Sequence, residues 1–302
     1  MKKISLYILL ALVIVSCGSN DQGELVGVRS SSNWHSERPL GMTLIPGGSF
    51  TMGKQSEDVA GSLNSPARTV TVRPYYMDET EITNSEYKEF VHWVRDSIVR
   101  TELALFSELM SFDGEPVLEE YKFLNIDSTD MSPYQKYMMK TYGSLGDLNS
   151  PTQGKMLNWD EEIIWNVHEF PSEEYAEVMI DSILTPIEDS FEGRRMLNID
   201  KLKFTYYWLD QEAAARKKGS RRDFIKQETV NVYPDTTVWI RDFKYSYNDP
   251  MHQDYFYHKA YNDYPVVGIS WMQSKAFCKW RTKKKNDYLN AKRNPTQIPQ
   301  FR

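Results

Sequence analysis

The sequence predicts an α+β chain with much irregular structure. Strand-like stretches crowd the region before Glu79, and two capped amphipathic helices start near Thr83 and Ser270. The long span between the helices is broken repeatedly by Pro, Gly and acidic residues.

The stretch from Gly41 to Gly53, GMTLIPGGSFTMG, reads as two strands joined by a Pro46-Gly47-Gly48 turn. A polar loop covers 54–66. Arg68-Thr69-Val70-Thr71-Val72-Arg73 then alternates like a half-buried strand and runs into Tyr75-Tyr76-Met77.

The first helix has a clear start. Thr83 and Glu86 have capping-box spacing, in which each side chain takes up an orphan amide of the first turn. Tyr87, Phe90, Val91, Val94 and Ile98 follow as one apolar stripe.

Beyond it, 113–151 reads mostly as loop. Residues 158–169 and 172–184 read as helices divided by Pro171. The Ala-rich run 211–218 reads as a helix with Gly219 as its C-cap. Residues 237–247 alternate, with Trp239, Phe243, Tyr245 and Tyr247 on one side, and read as a strand with an aromatic face.

Tyr264-Pro265-Val266-Val267-Gly268-Ile269 reads as a short apolar strand that turns directly into a helix. Ser270 and Gln273 form a second capping box, and Met272, Ala276, Phe277 and Trp280 make an apolar stripe. No repeat of fixed period is present.

The chain of 302 residues is long enough for one large domain or two small ones. Its 40% hydrophobic and 26% charged residues are ordinary for a globular protein. The 19 Tyr and 8 Trp are many, and suggest an aromatic core or aromatic interaction faces. A net charge of −6 argues against a nucleic-acid partner, which calls for a basic field.

Lys2 and Lys3 precede an apolar run over 4–15, too short to cross a bilayer and right for a signal peptide. The run ends Ile14-Val15-Ser16-Cys17, which resembles a bacterial lipobox. Residues 1–16 are then a lipoprotein signal peptide and Cys17 is the lipidated residue; the alternative is an ordinary signal peptide with an incidental Cys. Residues 17–38, rich in Ser, Gly, Asn and charge, read as a flexible tether, and 39–302 as the folded part. With Cys17 lipidated, Cys278 is the one thiol left and no intrachain disulfide can form.

Three ordered segments carry a resemblance to the formylglycine-generating enzyme (sulfatase-modifying factor) family. They are Met42 to Gly53, with its Ile-Pro-Gly-Gly; Glu79-Thr80-Glu81-Ile82-Thr83-Asn84-Ser85-Glu86-Tyr87; and the Pro265-Val266 to Trp280 segment. The resemblance implies a formylglycine-generating-enzyme-like, C-type-lectin-like fold. In that family the first helix and the Pro-Val segment lie much closer in sequence, so about 93–250 is a large insertion.

Within the insertion, Val232-Tyr233-Pro234-Asp235-Thr236-Thr237-Val238-Trp239-Ile240-Arg241-Asp242-Phe243, Tyr206-Tyr207-Trp208 and Ala213-Ala214-Ala215-Arg216 are similar to the gliding-motility, type IX secretion lipoproteins of the GldK type. That resemblance implies a structural subunit of an outer-membrane ring built with a partner protein. In the enzyme family an Arg-Leu-Pro-Thr-Glu-Ala-Glu-Trp-Glu segment follows the Trp-containing helix. This sequence ends Gln300-Phe301-Arg302, so the resemblance implies a C-terminally incomplete chain.

The family's oxidase chemistry implies reactive thiols and copper. The paired active-site cysteines that it uses would fall past Arg302. Cys278, between Phe277 and Trp280, reads as a buried, inert thiol. His252 and His258 share a loop without a metal-ligand spacing, and read as part of a packed aromatic loop. Asp78, Glu79 and Glu81 precede a helix start, where its dipole accounts for them. The sequence therefore offers no catalytic residue, metal site or cofactor site.

Basic runs occur at Arg216-Lys217-Lys218 with Arg221-Arg222, and at Lys283-Lys284-Lys285. Solvated faces account for such runs; the alternative is a contact surface for an acidic partner, with Arg216, Lys217, Arg221 and Arg222 as its residues.

The expected protein is thus a non-catalytic outer-membrane lipoprotein facing the periplasm, a scaffold in the type IX secretion and gliding ring. Its partners would be a periplasmic ring protein, further copies of itself and, through the lipid, the membrane. A true formylglycine-generating oxidase on a lipid anchor and a ligand-binding surface lipoprotein are the rival expectations.

Overall fold

In the computed structural model, the described residues are 38–53, 65–110, 117–124, 155–189, 195–242 and 254–291. The expected signal peptide, Cys17 and nearly all of the tether lie outside them, as does most of the 113–151 loop. Everything below belongs to the unit that begins at Gly41.

Strands β1 (Met42–Ile45) and β2 (Gly48–Met52) do not pair with each other. β1 pairs antiparallel with β4 (Tyr75–Asp78), and β2 with β3 (Arg68–Val72). The Pro46-Gly47 step is therefore a bend along a two-stranded ribbon, not a turn between paired strands. Its counterpart on the other side is Arg73-Pro74: a Cβ on Gly47 would sit 2.8 Å from Pro74 Cδ. Both strands lose their pairing at that corner because proline has no amide to give the ladder.

Helix α1 (Asn84–Met110) starts as expected. Glu86 Oε2 accepts the Thr83 amide at 2.9 Å, and Thr83 Oγ1 accepts the Glu86 amide at 3.3 Å. Tyr87, Phe90, Val91 and Val94 are buried, on the face that the periodicity predicts.

Helix α2 (Glu173–Ser182) fits inside the expected 172–184. Ser172 caps it by accepting the Tyr175 amide at 3.2 Å. The expected helix over 158–169 is absent: a single 3-10 turn, Val167–Glu169, interrupts extended chain. Side chains of other elements satisfy its backbone instead. Buried Arg100 donates to the carbonyls of Asn158 (2.7 Å) and Glu161, and Tyr175 Oη accepts the Ile164 amide at 2.9 Å. Trp159 stacks on Trp93 at 5.7 Å, and the Arg95 guanidinium lies 3.8 Å from the Trp165 ring centre.

Strands β5 (Lys203–Leu209) and β6 (Ile225–Asn231) form an antiparallel hairpin. Its connection carries helix α3 (Gln211–Arg216) and a 3-10 turn, Arg221–Phe224. Asp210 caps α3 by accepting the Ala213 amide at 3.0 Å. The helix stops at Lys217, two residues before the expected Gly219 cap. Gly219 instead lies against the Phe224 ring, 3.0 Å from where its Cβ would be.

The expected strand over 237–247 is also corrected. Val238–Asp242 is a helical turn, α4, and residues 243–247 lie outside the described set. Asp235 Oδ1 accepts from the Thr237 amide (2.9 Å) and hydroxyl (2.6 Å), an Asx turn that starts the chain into a helix.

Before helix α5 (Trp271–Ala291), the apolar 264–269 segment is not a full strand. It makes one bridge, Thr83 to Pro265, flanked by the Asn84 amide to the Tyr264 carbonyl and the Val266 amide to the Ile82 carbonyl, both 2.9 Å. Gly268, at φ +79°, then turns the chain away. Its second capping box is present: Gln273 Oε1 accepts the Ser270 amide at 2.8 Å, and Ser270 Oγ the Gln273 amide at 3.3 Å.

The core is aromatic, as the composition suggests, and residues between the two long helices help to build it. Tyr87 stacks on Phe277 at 5.6 Å, Phe90 meets Trp280 at 5.2 Å and Phe204 edge-on at 5.4 Å. Tyr121, Tyr175, Tyr206 and Val232, all from about 93–250, are buried in the same cluster. These aromatics therefore belong to the interior, the first of the two roles that the composition suggests.

Val232–Asp235 ties the chain between the two long helices to the starts of both α1 and α5. Tyr87 Oη donates to the Val232 carbonyl (2.9 Å), Gln273 Nε2 to the Tyr233 carbonyl (2.7 Å), and the Asp235 amide to the Gly268 carbonyl (2.9 Å).

Candidate interaction surface

The end of the β5–β6 hairpin and the start of α5 form a cationic, aromatic surface. Period-2 alternation puts Phe204, Tyr206 and Trp208 on one face of β5, and the register sets Tyr206 opposite Glu228 and Trp208 opposite Lys226. That face meets α5, where Trp271 and Lys275 stand one turn apart.

Lys275 Nζ is the centre of the cluster. It lies 4.4 Å from the Trp271 ring centre, 4.9 Å from that of Trp208 and 5.9 Å from that of Tyr206. Glu228 Oε2 is 3.4 Å away and also accepts the Tyr206 hydroxyl. That hydroxyl, with Lys275 behind it, holds the Glu228 carboxyl below its usual range, while burial and then Glu228 push the Tyr206 phenol up. Lys226 Nζ pairs with Asp210 Oδ2 at 2.5 Å and lies 5.4 Å from the Trp208 ring centre. Trp271 remains 71% exposed, a large aromatic side chain steadied by an ammonium.

The sequence-predicted contact residues lie at the tip of this hairpin. Arg216 and Lys217 end α3, and Arg222 lies in the 3-10 turn packed against it; all three are exposed. The side chain of Arg221 is outside the described set. Arg216 reaches Glu212 at 3.7 Å with both side chains about four-fifths in water, so screening leaves that pair little strength. Lys283 and Lys284, by contrast, lie over Trp93 (5.3 Å) and Trp280 (4.7 Å), and Lys284 pairs with Glu89 at 3.3 Å, so that run edges the core. The sequence reading missed Trp271, Lys275 and Glu228. The i, i+4 spacing of Trp271 and Lys275 was a signal, but their partners come from a hairpin more than 40 residues away.

Other candidates take structural roles. Asp78 pairs with Arg281 at 2.7 Å, and Glu79 accepts the Thr43 hydroxyl at 2.7 Å. His258 Nδ1 accepts the Ala260 amide at 3.1 Å as a cap; His252 is outside the described residues. Cys278 is exposed, a correction to its expected burial. A step of 100° per residue carries it off the face of Phe277 and Trp280. The surrounding protein still desolvates the thiol and pushes its pKa up, which keeps the thiolate scarce. Copper held by thiolates does not fit these residues. The chain has two cysteines, the described one favours the thiol, and no described group of three His, Cys, Asp or Glu could hold a metal ion.

Comparison with known proteins bears on the family. Residues 30–177 match the family model described as a sulfatase-modifying factor enzyme 1-like domain. That stretch, just under half of the chain, is similar to such a domain. Formylglycine-generating enzyme of Mus musculus is 36% identical over 80 residues, 26% of this chain and 21% of that protein. Its Bos taurus counterpart is 32% identical over 96 residues, 32% and 23% of the two chains. "Inactive C-alpha-formylglycine-generating enzyme 2" of Bos taurus is 36% identical over 74 residues, 24% and 23%. The chain thus matches less than a quarter of the length of each of these relatives. No solved structure matches. The α+β class agrees with the mixture of helices and short strands seen. No helix among the described residues is long and apolar enough to cross a membrane.

Proposed function

We propose that this protein is a non-catalytic scaffold: an outer-membrane lipoprotein, held by lipid on Cys17, that assembles with copies of itself and a periplasmic partner into the type IX secretion and gliding ring. The domain's finer arrangement would be C-type-lectin-like. The observation that carries the scaffold reading is the surface of Trp208, Trp271, Lys275 and Lys226 beside the Arg216–Arg222 tip. A rigid aromatic core with a basic rim suits a protein interface. Relatives named as inactive support a domain used without turnover.

The test is copurification from detergent-solubilised membranes. Reversal of Arg216, Lys217, Arg221 and Arg222 to Glu should slow association of the ring partner at least about tenfold and remove its salt dependence. Association at the wild-type rate by the folded reversal variant would remove this surface from the interface.

A second test addresses the rival oxidase. Incubated with a Cys-containing sulfatase peptide, copper and oxygen, the protein should give no aldehyde by mass spectrometry. Turnover that disappears on Cys278→Ser would overturn the scaffold reading in favour of the enzyme.

A further inference from the structure

We propose that copies of this chain join head to tail: the basic tip of the β5–β6 hairpin on one copy docks on the acidic outer face of α2 on the next. The inference rests on the ring reading and names the contact between copies within it.

The two surfaces differ in charge and share no residue. Residues 203–231 carry seven Lys or Arg against four Asp or Glu, in a chain whose net charge is −6. No Lys or Arg stands between Lys155 and Arg194, the span that holds α2. This helix buries Tyr175, Val178 and Met179 and turns Glu173, Glu177 and Asp181 to solvent. Spaced at i, i+4 and i+8, the three carboxylates form one stripe about 12 Å long.

That stripe is uncompensated within one copy. Like charges four residues apart repel, and an acid in the last turn opposes the helix dipole. Asp181 stands in that turn, which has no basic residue. Lys201 reaches the Asp181 backbone carbonyl rather than its carboxylate. None of the three carboxylates makes an ion pair among the described residues. The stripe is also too spread out for one metal ion, and no group of three described His, Cys, Asp or Glu could hold one. It therefore fits cations carried on another surface. Arg216 and Lys217 are exposed, and within one copy Arg216 reaches only Glu212, its own neighbour on α3.

Charge also fixes how the copies meet. Two tips repel each other, as do two stripes, so a twofold contact through either surface is disfavoured. A tip meets a stripe head to tail, and such contacts make a ring when the rotation between copies closes.

The test uses the full chain, solubilised in detergent without the ring partner and followed by sedimentation velocity. The wild type should self-associate at about 0.05 M salt and disperse at about 0.5 M, where screening is strong. Glu177→Lys with Asp181→Lys should weaken self-association at least about tenfold at the lower salt, and so should Arg216→Glu with Lys217→Glu. Mixed in equal amounts, the two variants should associate again, because every contact in an alternating assembly then joins opposite charges. The lysine variant keeps Glu173 and Glu174 at the helix start, and circular dichroism checks that both variants fold. Self-association of wild-type strength in either variant, no recovery on mixing, or a wild type that stays monomeric at low salt would each overturn the proposal. With the ring partner absent, such a result strikes only the contact between copies; the ring reading is tested separately, by copurification of that partner.

Discussion

Gly268→Ala should destabilise the protein more than a comparable glycine substitution elsewhere in the fold. A Cβ at Gly268 would sit 2.2 Å from the Asp235 carbonyl oxygen, closer than any real contact, and the residue is at φ +79°. The left-handed backbone alone costs a non-glycine residue about 1–2 kcal/mol. Relief of the overlap has to move Asp235, whose amide donates to the Gly268 carbonyl at 2.9 Å, which puts that bond at risk as well. Together these amount to about 2–4 kcal/mol, or a fall in Tm of roughly 10 °C for a domain of this size. Gly48, in β2, is the control: nothing lies within 4 Å of its added Cβ. Gly48→Ala should leave Tm within about 2 °C of wild type. Equal Tm values for the two variants would mean that the crossing of Val232–Asp235 over Gly268 does not hold that stretch in place.

Arg100→Met should release the extended 157–166 segment from the long helix. Arg100 is 7% exposed, donates to the Asn158 and Glu161 carbonyls, and lies 5.1 Å from the Trp159 ring centre. Methionine keeps much of the stem but leaves both carbonyls without their donor, a loss of about 2–4 kcal/mol. Hydrogen exchange is the right measurement, because the loss is local before it is global. The Ile164 amide, which donates to Tyr175 Oη, should lose protection by about two orders of magnitude. Arg95→Met provides the comparison. It removes a guanidinium stacked on Trp165, worth about 1 kcal/mol at a partly exposed site, so its effect should be clearly smaller. Unchanged exchange at Ile164 in Arg100→Met would show that stacking of Trp159 on Trp93 is enough to hold the segment.

Where information was local, the sequence was sufficient. Both capping boxes, the buried stripe of α1, the stripe of α5 and the strands around Val70 and Met77 follow from spacing over a few residues. So does the fold class. Each depends on a backbone group and a side chain three or four positions away, or on which face a side chain takes. The basic tip was equally legible, since Arg216, Lys217 and Arg222 are close in sequence as well as in space.

The tertiary structure decided what distant partners decide. Residues 158–169 carry a helix-compatible pattern, yet Arg100 and Tyr175 satisfy that backbone in an extended form, and burial of Ile163, Ile164 and Trp165 outweighs weak helical propensity. The aromatic alternation from Thr237 looked like a strand, but the Asx turn at Asp235 starts a helical turn. Pro46-Gly47-Gly48 reads as a turn until Pro74 is seen beside it. The Lys275 cluster could not be read from the chain, because Trp208 and Glu228 reach it only once the hairpin packs on α5.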